Sequence, residues 1–127
     1  MKRLLLIALV LALACGCAKS SAIRDASLDE LGAAYGKPGT ILIDLRPGNA
    51  LQGDMKFLKE AMHQPLSSLV SNLDRVPKDS NVYLLANDAN DVTKAANMLA
   101  DSGYKFVYRV TGSFDEYAAK FPDQLQQ

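Results

Sequence analysis

The chain has 127 residues, which is enough for one domain and too few for two. Its 14 basic and 14 acidic residues cancel, and loss of Lys2 and Arg3 with a targeting signal lowers the basic count to 12 and leaves a net charge of about −2. A weakly acidic domain without a cluster of lysines and arginines does not match a phosphate backbone, so nucleic acid is excluded as a partner.

Residues 1–17 are predicted to be a signal peptide that ends in a lipobox. The basic start is followed by an apolar run over residues 4–14, much shorter than the ~20 residues of a spanning helix. The sequence Ala14-Cys15-Gly16-Cys17-Ala18 is similar to a bacterial lipobox, in which a cysteine after small residues is lipidated. Small neighbours favour Cys17, and Cys15 fits nearly as well. An ordinary secretory signal with two incidental cysteines is the alternative.

Residues 18–25 are predicted to form a polar tether that holds the domain near a membrane. Fully extended, they reach roughly 25–30 Å. The expected location is the bacterial cell envelope, lipid-anchored on the periplasmic or outer side. No acidic residue directly follows either cysteine, which in a Gram-negative cell resembles a signal for the inner leaflet of the outer membrane. The expected partners are the membrane, through the lipid, and an unidentified envelope protein or small ligand.

From Ser27 onward, helix-like and strand-like segments alternate. Helices are predicted to begin near Ser27, Pro65, Val92 and Gly112. Strands are predicted over three apolar runs, residues 40–45, 82–86 and 106–110. Residues 46–64 read as irregular, with helical turns near Ala50 and over residues 57–61. Pro122 is expected to stop the last helix and to leave residues 122–127 as a C-terminal tail.

This alternation predicts one α/β domain over residues 26–121. Strands separated by helices in so short a chain imply right-handed crossovers and a central parallel sheet of four to five strands. Functional sites in such sheets form beyond the carboxyl ends of the strands. The strand ends of interest are therefore Asp44 and Ala86, with the loop that follows each of them.

Five motifs in matching order resemble those of the rhodanese (sulfurtransferase) family. They are Ile41-Leu42-Ile43-Asp44-Leu45-Arg46-Pro47, Gly53-Asp54-Met55, Ala61-Met62-His63-Gln64-Pro65-Leu66, Ala95-Ala96 with Gly103-Tyr104, and Val107-Tyr108-Arg109-Val110 with Gly112-Ser113-Phe114. The resemblance covers residues 26–121 and implies a rhodanese-like three-layer fold around the parallel sheet. It also implies that Arg46 forms a structural ion pair that ties neighbouring loops together.

The resemblance ends at the active-site loop. Catalytic members carry a loop of the type Cys-x-x-Gly-x-Arg, whose thiolate attacks and carries sulfur while a helix N-terminus stabilises the negative charge. The loop of this chain contains no cysteine and reads Ala86, Asn87, Asp88, Ala89, Asn90 and Asp91. Ala86 stands at the nucleophile position and Asp91 where arginine is expected. The sequence therefore predicts that the chain is not an enzyme, needs no cofactor, and acts as a binding or regulatory module.

Two alternatives keep a chemical role for the same loop. Asp44, Asp88 and Asp91, with His63 nearby, are weak candidates for a divalent-metal site or for a non-cysteine enzyme. In the competing interpretation, Asp44 orders its loop and Asp91 is the N-cap of the next helix. Asp88 and Asn90 are then turn residues. In the other alternative, sulfur transfer survives because a partner's cysteine docks at Ala86.

Overall fold

The computed structural model describes residues 22–48 and 56–126. The predictions for the signal peptide, for Cys15 and Cys17, for Ala50 and for Gly53-Asp54-Met55 fall outside these ranges. Within them, no helix is long and apolar enough to cross a membrane. The fold can be compared with the remaining predictions element by element.

A parallel sheet of five strands forms the centre of the domain, so the predicted α/β class and strand count are confirmed. The strands are β1 (Ile23–Ala26), β2 (Thr40–Asp44), β3 (Ala61–His63), β4 (Asn81–Leu85) and β5 (Val107–Val110). Their order across the sheet is β1-β5-β4-β2-β3, and every neighbouring pair is parallel. All five strands therefore end at the same edge of the sheet.

The two edge strands were not predicted. β1 includes residues 23–25, which the sequence pattern assigned to the tether, so that part of the tether prediction is wrong. It pairs with β5 in the register Ile23↔Val107, and only Ala26 among its residues is buried. β3 lies in the stretch predicted to be irregular. Edge strands of this kind are held by backbone hydrogen bonds along one side and need no continuous apolar run.

Helices cover both faces of the sheet. They are α1 (Leu28–Ala34), α2 (Ala89–Asp101) and α3 (Phe114–Lys120), with 3₁₀ turns at Leu66–Ser68, Val70–Arg75 and Pro122–Gln124. One buried cluster lies between the sheet and α2 and includes Ile43, Leu84 and Leu99. A second lies between the sheet and the helices α1 and α3 and includes Leu42, Leu85 and Tyr117. The helix predicted from Pro65 is thus a pair of 3₁₀ turns.

The helix caps explain where the outer elements begin. The Ser27 hydroxyl accepts from the Glu30 amide at 3.0 Å, as predicted for the start of α1. A reciprocal capping box, which the sequence reading missed, joins Ser113 and Glu116 at the start of α3.

The predicted C-terminal tail packs against the domain, because Leu125 is buried. The residues on either side of Leu125 form backbone hydrogen bonds with the segment around Phe57.

A buried ion pair joins Asp44, at the end of β2, to Arg46 in the loop that follows. The guanidinium of Arg46 donates to both carboxylate oxygens of Asp44, with Nη2 to Oδ2 at 2.8 Å and Nε to Oδ1 at 3.0 Å. Arg46 Nη2 also donates to the Lys56 carbonyl at 2.7 Å, and its Cζ lies 3.3 Å from the centroid of the Phe114 ring. Both charged residues are only 2% exposed. The structural role predicted for Arg46 is what these contacts describe.

Arg46→Met is expected to destabilise the domain by about 3–5 kcal/mol, because it leaves the Asp44 carboxylate buried without its partner. Lys120→Met is the matched control, since Lys120 pairs with Asp29 at the surface and both side chains are largely exposed. Its expected cost is at most about 1 kcal/mol. Urea unfolding of both variants measures the two free energies. Equal losses would contradict the assigned importance of the buried pair.

Candidate functional site

An open cavity of about 390 Å³ lies beyond the carboxyl ends of β1, β4 and β5. This is the edge at which parallel α/β sheets form their sites. Its apolar wall includes Ala86, Val92 and Val110. Its polar wall includes Asp25, Thr93, Arg109, Thr111, Ser113 and Glu116. The cavity therefore meets the predicted nucleophile position, but most of its polar groups come from elements outside the predicted loop.

Ala86 is placed at the wall of the cavity by the strand before it and the helix across from it. It directly follows β4 and is only 3% exposed. Its carbonyl accepts from the Phe114 amide at 3.0 Å, which ties the strand end to the start of α3. The next residue, Asn87, accepts from the Asp115 amide at 3.1 Å through its side-chain oxygen. Two consecutive residues thus anchor the loop to the same helix.

The loop is shorter than predicted, because α2 begins at Ala89 and not near Val92. Asp88 is the N-cap, and its Oδ1 accepts from the Asn90 amide at 2.8 Å. Asp91 lies in the first turn of α2, so the prediction that it caps the helix is wrong, as is the turn assignment of Asp88 and Asn90. Two aspartates three residues apart compete for the cap, and the helix-favouring Ala89 lets the earlier one take it.

The candidate metal ligands are not brought together. The Asp44 carboxylate is occupied by Arg46, and that of Asp88 is occupied by the cap of α2. Asp91 lines a separate groove. His63 lies near the Arg46 carbonyl, with its Nε2 at 2.8 Å from that oxygen. Across residues 22–48 and 56–126, no group of three or more His, Cys, Asp or Glu side chains could hold a metal ion. The acidic-loop alternative therefore gains no support.

The charged side chains of the cavity are one arginine and two carboxylates. Asp25 Oδ1 receives two contacts from Arg109, from Nε at 2.8 Å and from Nη2 at 2.7 Å. Arg109 Nη1 reaches Thr93 Oγ1 at 3.4 Å. Both ionic side chains are partly exposed, at 57% for Asp25 and 35% for Arg109. The sequence reading missed this pair, because it becomes visible only once β1 is recognised and aligned with β5.

Glu116 supplies the second carboxylate. Its Oε1 accepts from the Ser113 amide at 3.0 Å, and the Ser113 hydroxyl accepts from the Glu116 amide. The bond from the Ser113 backbone, followed by the bond to its side chain, lowers the pKa of Glu116. The carboxylate is therefore ionised at neutral pH. The cavity then carries one positive and two negative side chains.

Asp88→Ala is expected to cost about 1 kcal/mol of unfolding free energy, because the first turn of α2 loses its side-chain acceptor. Asp91→Ala is the matched control, with an expected cost of about 0.3–1 kcal/mol from the helix dipole alone. Thermal and urea unfolding compare the two variants. If Asp91→Ala proves the more damaging change, the placement of the cap at Asp88 is wrong.

Several known proteins are similar to this chain in sequence or in fold. A family model described as "Rhodanese-like domain" matches residues 27–120. The thiosulfate sulfurtransferase GlpE of Pseudomonas savastanoi pv. phaseolicola is 24% identical over 98 residues, which cover 77% of this chain and 91% of that protein. The reduced CoADR-RHD of Bacillus anthracis superposes with a TM-score of 0.70 at 27% identity over 85% of this chain, which spans only 19% of that protein.

A further similar structure is the single-domain sulfurtransferase RDL2 of Saccharomyces cerevisiae. It has a TM-score of 0.64 at 18% identity, over 82% of this chain and 95% of that one. The prediction that this chain is not an enzyme is wrong, because the matching family and a relative named as a thiosulfate sulfurtransferase point to enzyme activity.

Proposed function

The chain belongs to the rhodanese-like domain family, and on that premise we propose that it is a sulfurtransferase domain whose sulfur-accepting thiol belongs to the second substrate. One observation carries this proposal. The cavity at the strand ends is lined by Ala86, at the position where the family resemblance expects a cysteine. A substrate thiol bound beside Ala86 would stand close to where the protein's own sulfur would stand.

The sulfur donor is proposed to be of the thiosulfate class, as in the name of the relative GlpE. The substrate thiolate, RS⁻, attacks the outer sulfur of thiosulfate, S₂O₃²⁻. The sulfur–sulfur bond of thiosulfate breaks and a new one forms, so the products are a persulfide, RSS⁻, and sulfite, SO₃²⁻. Sulfite leaves with the electron pair of the broken bond. Charge and sulfur balance, and no external oxidant or reductant is needed.

The domain would accelerate this step by positioning and by charge. Two anions react slowly in water because they repel each other. The cavity lies beside the first turn of the 13-residue helix α2, whose dipole favours negative charge, and Arg109 adds a full positive charge. Holding the two reactants in contact also removes the cost of bringing them together in solution. A residue-borne thiol is not required for either effect.

The test uses the full chain with Cys15→Ser and Cys17→Ser, so that the protein itself contains no thiol. Sulfite release from thiosulfate and a small thiol is expected to exceed the protein-free rate. Ala86→Leu, which fills the cavity wall, is expected to lower this rate by at least ~10-fold. Asn97→Leu is the matched control, because Asn97 is exposed on α2 and lies outside the cavity lining.

Ala86→Cys in the same thiol-free background guards against misfolding of the leucine variant. A thiol at this position, beside a helix N-terminus, is expected to gain transfer of sulfur from thiosulfate to cyanide. The proposal would be contradicted if the thiol-free chain with Ala86 released sulfite only at the protein-free rate and Ala86→Leu left that rate unchanged. A dead Ala86→Cys variant that remains folded would show that the cavity cannot hold the donor.

We also propose that a lipid on Cys17 or Cys15 anchors the domain in a bacterial envelope. The basic start, the short apolar run and the small residues around both cysteines support this. Because β1 begins at Ile23, the tether comprises residues 18–22 and extends at most roughly 17 Å. The domain would then stay at the membrane surface, on the inner leaflet of the outer membrane in a Gram-negative cell. An envelope protein or a small molecule would meet it there.

Incorporation of labelled palmitate into the full chain, produced in a bacterium, tests the anchor. Label is expected in the unmodified chain and in Cys15→Ser, and none is expected in Cys17→Ser. The reverse pattern would assign the lipid to Cys15. An unlabelled chain would contradict lipid anchoring altogether.

A further inference from the structure

We propose that the thiol substrate is a small zwitterion of the cysteine type, with its carboxylate on Arg109 and its ammonium group on Asp25 and Glu116. This inference rests on the proposed function and names the substrate class of the same cavity. It comes from the charges of the wall and from the atoms that the protein's own contacts leave open. The inference concerns the thiol that accepts sulfur and not thiosulfate, which donates it.

Arg109 retains a donor for a carboxylate. An arginine side chain carries five N–H donors. The Asp25 carboxylate uses Nε and Nη2, while Nη1 has only a long contact of 3.4 Å with Thr93. The Arg109 side chain is 35% exposed and lines the cavity, and Nη1 is the nitrogen that its pair with Asp25 leaves unused. A carboxylate there would form a charge-assisted hydrogen bond.

The two carboxylates retain acceptors for an ammonium group. Both contacts from Arg109 go to Oδ1 of Asp25, and within residues 22–48 and 56–126 no hydrogen bond or ion pair uses its Oδ2. Glu116 uses Oε1 for the Ser113 amide, and within the same ranges its Oε2 is not used. Both side chains are in the cavity lining. An ammonium group, which has three N–H donors, supplies the hydrogen bonds that these acceptors lack.

The balance of charge selects between classes of thiol. A thiol that carries only a carboxylate can pair with Arg109 but leaves Asp25 and Glu116 without a cation. A thiol with only an ammonium group satisfies the two acids and leaves Arg109 Nη1 unused. An α-amino acid thiol satisfies both. The volume of about 390 Å³ is near the lower end for small-molecule sites, which favours a single amino acid over a larger thiol.

The test compares three thiols of similar length with the thiol-free full chain. L-cysteine carries both charged groups, 3-mercaptopropionate lacks the ammonium group, and cysteamine lacks the carboxylate. The rate of sulfite release is divided by the protein-free rate for each thiol, which removes differences in intrinsic reactivity. L-cysteine is expected to exceed each of the other two by at least ~10-fold in kcat/KM.

Charge variants assign the preference to residues. Arg109→Gln is expected to bring L-cysteine down to the level of cysteamine, and Asp25→Asn is expected to reduce its advantage over 3-mercaptopropionate. Arg24→Gln is the matched control, since Arg24 is exposed on β1 and lies outside the cavity lining. Binding of L-serine, which has a hydroxyl in place of the thiol, is followed separately through the NMR signal of the Ala86 methyl group.

The outcomes separate this inference from the proposed function. Equal acceleration of all three thiols would overturn the zwitterion inference and leave the sulfurtransferase proposal intact. If no thiol is accelerated, the sulfurtransferase proposal fails. L-serine binding that Arg109→Gln removes would then still establish the zwitterion site. If L-serine leaves the Ala86 signal unchanged and no thiol is accelerated, both are wrong.

Discussion

The buried contact between Asp44 and Arg46 organises the carboxyl edge of the sheet. It neutralises two charges that are almost fully removed from water and leaves the guanidinium stacked on the Phe114 ring. The Phe114 amide in turn donates to the Ala86 carbonyl. The loop after β2, the start of α3 and the wall of the cavity are therefore joined through three consecutive contacts. An unpaired charge at either end of the ion pair would carry a large desolvation cost, so this arrangement resists change.

The central strands and the outer ones differ in how far the sequence specifies them. β2 and β4 were predicted because both faces are covered and their apolar runs are continuous. β1 was assigned to a tether because the short sequence Ile23-Arg24-Asp25-Ala26 has no such run. The pair between Asp25 and Arg109 depends on that strand, so the main ionic feature of the cavity could not be predicted. The position of Ala86 could be, since it follows from the end of a strongly apolar strand.

Placing the thiol on the substrate reconciles the family with the residue at position 86. The scaffold keeps a cavity at the strand ends and a helix that begins beside it. In the proposed reaction the covalent step differs, because sulfur would pass directly from donor to acceptor and the protein would form no persulfide. In the inferred binding mode, three side chains from different elements, Arg109, Asp25 and Glu116, would hold the charged groups of the thiol substrate.

Isotope tracing tests this account most directly. The unmodified full chain is incubated with L-cysteine and thiosulfate labelled in its outer sulfur, and the label is followed in the small molecules and, by intact-protein mass spectrometry, in the protein. The account predicts label in cysteine persulfide, formed faster than without protein, and an unlabelled chain throughout. Label bound covalently to the chain, at Cys15 or Cys17 for example, would contradict it. So would persulfide formation at the protein-free rate.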